Sequence, residues 1–155
     1  MRRIAAVLMV LTLGALAQDA HHAEVDKRGD HVMGFSHEKT THHFRLYKDG
    51  GASEVTANDA ADTASRGQIQ MHLGHIARLF AAGDFQAPML THAINPPGVP
   101  VMQRLKSEIK YEYQKTDRGG AVRIKTANPE ALKAVHEFLK FQIEEHRTGD
   151  AVEVK

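Results

Sequence analysis

Histidine is the residue type in this chain best suited to chemistry, because the sequence contains 11 histidines and no cysteine. The stretch SHEKTTHHF, residues 36–44, places three of them beside a glutamate. An H-E-x-x-H helix binds zinc through two histidines one turn apart. Here His37 and His42 are separated by about 140° around a helix, and the threonines between them favour extended chain. The spacing therefore excludes a metalloprotease helix.

A metal site assembled from different elements is the leading prediction. His72 and His75 are close enough on one predicted helix to share an ion. His136 lies on the apolar stripe of a second helix, and His42 shares a strand face with apolar residues. Imidazoles that converge between a sheet and its helices suit copper or zinc. The sequence thus predicts a copper or zinc site formed by some of these four histidines.

Two further histidine positions extend or limit this site. Met89 and His92 form a soft-ligand pair in a proline-rich segment and are candidates for an additional metal or ligand site. His146 also falls on the apolar stripe, but it lies about 15 Å along the helix from His136. We therefore expect His146 not to bind the same ion as His136.

Other functions for the histidines stay open. Histidines on an apolar face are commonly core residues hydrogen-bonded to backbone or carboxylates, in which case the chain would be a ligand-binding, protein-binding or stress-response domain without metal. Histidines also titrate near pH 6.5, so acid sensing is a third hypothesis. For an enzyme, the sequence offers no recognisable nucleophile and base.

The first seventeen residues have the pattern of a secretory signal peptide. Arg2 and Arg3 precede an apolar run from Ile4 to Leu13, and a small-x-small cleavage site ends at Ala17. The sequence therefore predicts export to the periplasm or the exterior, with cleavage near Ala17. Loss of the two arginines changes the formal charge of +1 to −1, which gives no electrostatic reason to expect nucleic-acid binding. No second apolar span follows, so we expect no membrane-embedded domain.

The residue types also exclude several chemistries. Without cysteine there is no disulfide, no covalently attached haem, no thiolate-bound zinc and no thiol nucleophile. The sequence contains no G-x-S-x-G, P-loop or G-x-G-x-x-G motif. Binding functions are therefore favoured over acyl transfer or nucleotide chemistry.

The elements that must position these side chains form two similar halves. In the first half, alternating residues from Thr40 predict a strand, a turn at Asp49, a return strand and then a helix opened by Asn58 or Asp59 and ended by Gly83. The second half repeats this order, and GGASEVTAN aligns with GGAVRIKTAN. Its helix is predicted to open at Asn128 and Pro129 and to end at Gly149.

The domain organisation follows from this repeat. The predicted fold class is α+β, with two strand-strand-helix units that form a four-stranded antiparallel sheet and place both helices on one face. An exposed sheet face of this kind also allows a homodimer. The predicted segments are a signal peptide (1–17), a flexible lead-in (18–39), one domain (40–149) with halves 40–84 and 108–149 and a proline-rich connection (85–107), and a tail (150–155).

The segments GFSHEKTTHHFRLYKDGG, QMHLGHIARLF, NPPGVPVMQRLK and HEFLKFQIEEHRTGD together resemble a family of small exported bacterial proteins that often carry the label aspartate carbamoyltransferase. The resemblance covers nearly all of residues 32–150 and implies no established activity. The enzyme behind that label is about twice as long and binds carbamoyl phosphate through S-T-R-T-R and H-P-x-Q segments, neither of which occurs here. The resemblance therefore predicts family membership without transferase activity.

Overall fold

The computed structural model of the chain describes residues 2–155, and the side chains of residue 14 and residues 16–155. The predicted signal peptide therefore falls largely on side chains outside this description. The helices are α1 (Arg2–Met33), α2 (Thr63–Ala82), α3 (Gln86–His92), α4 (Val99–Arg104) and α5 (Pro129–Glu145), and the strands are β1 (Thr40–Tyr47), β2 (Gly50–Ala57), β3 (Ile109–Thr116) and β4 (Gly119–Thr126).

The strands form one antiparallel sheet in the order β1-β2-β4-β3. Each half of the repeat contributes one hairpin, and the return strands β2 and β4 pair in the middle. A 3₁₀ turn precedes the first strand of each hairpin, at His37–Lys39 and at Lys106–Glu108. The predicted α+β fold with a four-stranded antiparallel sheet is confirmed.

Helices α2 and α5 pack against the same face of this sheet. Gly51 on β2 lies so close to Leu139 of α5 that an added Cβ atom would be 2.2 Å from Leu139 Cδ1. A Cβ atom at Gly120 on β4 would be 3.4 Å from Leu73 Cδ1 of α2. The two glycines lie on one face, since Gly51 pairs with Ile124, four residues from Gly120. The absence of side chains at these positions lets the helices lie close to the backbone of the sheet.

Residues 18–33 of the predicted flexible lead-in (18–39) form the second half of α1, which ends at Met33 and is followed by Gly34 with a φ of +78°. His22, Val25 and Gly29 are buried and recur on one helical face. This face packs against α3, and Arg28 Nε donates a 2.9 Å hydrogen bond to the Thr91 carbonyl oxygen. The apolar pattern missed this face because a histidine and a glycine supply two of its buried positions.

The helices differ from the sequence predictions in three places. The proline-rich connection contains α3, which was not predicted. The side chain of Asp62 caps α2 by accepting from the Ser65 amide at 2.9 Å, so neither predicted cap is used. Helix α5 ends at Glu145 with His146 as its C-terminal cap, before the predicted end at Gly149. The early end of α5 matters because it turns His146 inward.

The C-terminal tail follows the free edge of β1. The Asp150 carboxylate accepts hydrogen bonds of 2.9 Å from the Phe44 amide and from His43 Nδ1, and the Lys155 amide donates to the Leu46 carbonyl oxygen at 3.0 Å. These contacts pair backbone groups that an edge strand otherwise exposes. Among the residues described, no helix is both long and apolar enough to cross a membrane.

Candidate functional site

A cavity of about 80 Å³ lies between the inner face of the sheet and the helices α2, α3 and α5, and the end of α1 contributes to its wall. Most of that wall is aliphatic or aromatic. Four histidines interrupt it: His42, His72, His92 and His146. We call this space the histidine cavity, and it brings together imidazoles from one strand and three different helical segments.

Strand alternation directs His42 into the cavity. It lies two residues before Phe44 and four before Leu46, both buried on the inner face. The ring stacks between Phe35 and Phe44, with centroid distances of 6.1 and 6.4 Å. Its Nε2 is buried and has no hydrogen-bond partner. Burial, with a smaller effect from neighbouring His72, lowers the pKa of His42 from 6.5 to about 4.

His146 is placed beside His42 by the end of α5. The two rings are nearly parallel, with centroids 5.4 Å apart and an interplanar angle of 9°. The next residue, Arg147, has a φ of +50°, so the chain leaves the helix directly after this histidine. Burial, with smaller effects from His42 and His92, holds the pKa of His146 well below its ordinary value. The ring is therefore neutral at pH 7.

His92 reaches the cavity from the last residue of α3. Its ring lies edge-on to His146 with centroids 5.1 Å apart, and it is only 2% exposed. Nε2 donates a 3.0 Å hydrogen bond to Gln142 Oε1. Nδ1 lies 3.5 Å from Glu145 Oε2 without forming a hydrogen bond. Burial lowers the pKa of His92, although Gln142 and Glu145 oppose this shift.

His72 completes the set from α2. It packs edge-on against Phe35 with ring centroids 5.6 Å apart, so Phe35 separates it from His42. Burial lowers the pKa of His72 to about 4, and nearby His75 adds a smaller effect. All four histidines of the cavity are therefore neutral at pH 7, and each keeps one ring nitrogen with a free lone pair.

The structure brings together only part of the predicted site. His75 is exposed one turn from His72 on α2 and does not line the cavity. His136 contacts the β1–β2 turn, where Nε2 donates to the carbonyl oxygens of Tyr47 and Gly50 at 2.9 and 3.0 Å. Met89 points outward and is 36% exposed, whereas its predicted partner His92 is buried in the cavity. His75, His136 and Met89 therefore lie outside this site.

The sequence pairs His92 with Met89 and sets His146 apart from the predicted site, whereas the structure places His92 and His146 together in the cavity wall. Helical spacing correctly separates His146 from His136, since α5 carries one to the cavity and the other to the turn. Spacing along α5 gives no indication that β1 and α3 meet the C-terminal end of that helix. His92 lies in the predicted proline-rich connection, where the structure forms helix α3. Recognition of that helix from the sequence would have placed His92 on a buried helical face.

A carboxylate outside the cavity joins α1 to the histidines. Glu145 Oε2 lies 2.9 Å from His21 Nε2, and the Glu145 carbonyl oxygen accepts a 3.1 Å hydrogen bond from His22 Nδ1. The same carboxylate is the group that lies 3.5 Å from His92. The end of α5 thus connects the second half of α1 to the wall of the cavity.

The ring separations are those expected of imidazoles that share an ion. With a metal–nitrogen bond of about 2 Å, each ring centre lies about 3.2 Å from the metal, so two rings at the tetrahedral angle have centres about 5 Å apart. The observed values are 5.4 Å for His42 and His146 and 5.1 Å for His92 and His146. Among the described residues, no three histidine, aspartate or glutamate side chains are already placed to hold an ion. Binding therefore requires rotation of the rings about their soft χ2 torsions.

Comparison with known proteins adds no family to this description. No protein-family model, no curated protein and no solved structure matches the chain. The fold and the site define an α+β domain with a cavity lined by neutral histidines. The resemblance described above stays a prediction.

Proposed function

We propose that this chain is an exported, non-enzymatic metal-binding protein and that the histidine cavity is its binding site for copper or zinc. The observation that carries the proposal is that His146 lies between two other buried histidines of the cavity wall, with ring centres 5.4 Å from His42 and 5.1 Å from His92, each pair spaced as for two ligands of one ion. His72 lies on the same wall and is available as a further ligand.

Burial and charge support this assignment. A metal ligand must be an unprotonated imidazole, and burial keeps these histidines neutral at pH 7. His42 Nε2 is a buried nitrogen without a partner, and such an atom costs about 1–3 kcal/mol when it faces apolar surroundings. Coordination of an ion removes this cost.

The test is metal binding by the full chain, measured by elemental analysis after dialysis and by titration with Zn(II), Cu(II) and anaerobically reduced Cu(I). We expect about one ion per chain in the wild type. His42→Phe and His146→Phe should each lose the ion, because phenylalanine keeps an aromatic ring in place without a donor nitrogen. His75→Ala is the matched control on an exposed position and should bind normally. A wild type that binds no metal, or binding that depends on His75 and not on His42, contradicts the proposal.

Export is tested separately from metal binding. The signal-like pattern predicts that protein recovered from the exported fraction begins at Gln18, which the mass of the intact chain measures directly. Recovery of the uncleaved chain in the cytoplasm would contradict export and leave the metal site unaffected.

A second candidate function is binding of a small uncharged molecule in the same cavity. It is favoured by the wall, which is mostly apolar and contains the acceptor-free Gln142 Nε2 and the unpaired His42 Nε2. A volume of about 80 Å³ accommodates only a few non-hydrogen atoms, because one water occupies about 30 Å³ in the liquid. We expect short-chain alcohols to raise the melting temperature in the presence of EDTA, and His42→Phe to remove this effect.

A further inference from the structure

The charge of the cavity wall bears on which metal ion it accepts. No aspartate or glutamate is among the residues that line the histidine cavity. A carboxylate that contacts one of the wall histidines from outside the cavity is Glu145, which lies 3.5 Å from His92 Nδ1 and also pairs with His21. A metal ion inside would therefore be surrounded by neutral donors.

A neutral, apolar wall discriminates between ions by their charge. The cost of moving an ion from water into a medium of low dielectric constant grows with the square of the charge. A doubly charged ion such as Zn²⁺ or Cu²⁺ therefore pays about four times the desolvation cost of a singly charged ion of similar size. Because no anionic ligand offsets this cost, the wall favours a monovalent ion.

The side chain of Met33 adds a soft donor to the same wall. Met33, His42 and His146 line the histidine cavity and also a neighbouring cleft of about 290 Å³. Thioethers and neutral imidazoles are ligands that suit Cu(I), whereas zinc and Cu(II) gain little from a thioether. Cu(I) also accepts low coordination numbers, so two histidines and one methionine are enough to bind it.

The neighbouring cleft gives the ion a route to these ligands. The carboxylate among its lining residues belongs to Asp26, which lies 3.9 Å from both Arg147 and His37. Those contacts place cationic or hydrogen-bonding groups beside Asp26, which is the one carboxylate among the residues that line the cleft. The cleft thus leads from solvent to a set of neutral, soft donors.

We propose that the site is selective for Cu(I), with His42, His146 and Met33 as its ligands. This inference rests on the proposed metal-binding function and specifies the ion. The metal binds in its reduced form and no electron transfer to or from the protein is involved.

The test is a competition experiment on the full chain under anaerobic conditions. Cu(I), kept reduced with ascorbate, is partitioned between the protein and a coloured Cu(I) chelator, and Zn(II) is titrated against a coloured zinc chelator. We expect Cu(I) to bind at least about 100-fold more tightly than Zn(II). Met33→Leu should weaken Cu(I) binding at least about tenfold and leave the Zn(II) affinity unchanged. Met71→Leu, a change at an exposed methionine of α2 (73% exposed), is the matched control and should alter neither affinity.

The outcomes separate this inference from the function on which it rests. Equal affinities for the two ions, or a Cu(I) affinity unaffected by Met33→Leu, overturn the Cu(I) assignment while metal binding stands. If neither ion binds to the folded protein, both proposals fail. X-ray absorption at the copper edge provides a second measurement, in which sulfur scattering should be present in the wild type and missing in Met33→Leu.

Discussion

Mild acid should destabilise the metal-free protein, and the effect follows from the burial of two histidines. Burial lowers the pKa of His42 and of His72 from 6.5 to about 4. For His42 the positive charges of His72, His43 and His37 act in the same direction, and the carboxylate of Asp30 opposes them. Between pH 6.5 and pH 4 the unfolded chain therefore binds more protons than the folded chain, so the free energy of unfolding falls as the pH falls.

The size of the effect can be worked out for one ring. At pH 5 an imidazole with a pKa of 6.5 is almost fully protonated, whereas His42 in the folded state is still mostly neutral. Each pH unit over which the two states differ by one proton changes the stability by about 1.4 kcal/mol. Acidification from pH 7 to pH 5 should therefore cost about 2 kcal/mol for His42 and about 2 kcal/mol for His72. The sum is a large part of the total stability of a domain, which is typically about 5–15 kcal/mol.

Urea unfolding in EDTA, followed by circular dichroism at several pH values between 7 and 5, measures this fall. Carboxylates contribute little in this range because their pKa values lie lower in both states. The double variant His42→Phe/His72→Phe should have a shallower profile than the wild type, with the remaining slope coming from buried His92 and His146. His75→Ala should behave as the wild type does. A loss of less than about 1 kcal/mol in the wild type, or an equal loss in the double variant, would refute the assignment of neutral buried rings.

Three further predictions concern contacts outside the cavity. His136→Ala removes the hydrogen bonds from α5 to the β1–β2 turn and should lower the free energy of unfolding by about 1–3 kcal/mol without changing the metal affinity measured by calorimetry. Gly98→Ala places a Cβ atom 2.1 Å from a backbone oxygen of α5 at a φ of +82° and should lower the free energy of unfolding by more than about 2 kcal/mol. Gly67→Ala, in open space on α2, is its control and should raise the free energy of unfolding by up to about 1 kcal/mol in the same urea titration. Asp150→Asn weakens the contact with the Phe44 amide and should increase hydrogen exchange along β1, with unchanged exchange in β3 as the internal reference.

Periodicity along the chain was sufficient to predict the sheet and its two main helices. The alternation in β1 and β3, the glycines at the turns and the helical spacing in α2 and α5 are local patterns, and each half of the repeat supports the other. That the two hairpins join into one sheet follows because one hairpin and one helix cannot bury their apolar faces alone, whereas the choice of β2 and β4 as the pair at the junction is made by the tertiary structure. The structure has these elements in this order.

Local pattern failed where burial depends on polar or small residues. The apolar pattern does not predict the second half of α1 because His22 and Gly29 occupy buried positions that such a pattern does not count. Helix α3 lies in a segment rich in proline, and its buried residues are Thr91 and His92. Both helices are held by their contacts with each other and with residues of α5. Because these contacts join distant parts of the chain, a local pattern does not predict them.

The sequence by itself determined the chemistry that is available: imidazole and thioether donors, no thiol, and a fold with an inner face on which some histidines must lie. Only the tertiary structure decided which histidines meet. It joins His42 and His72 to His92 and His146 and places His75 and His136 elsewhere. The physical reason is that residue spacing fixes the face of an element on which a side chain lies, whereas the neighbour of that face is fixed by how the elements pack.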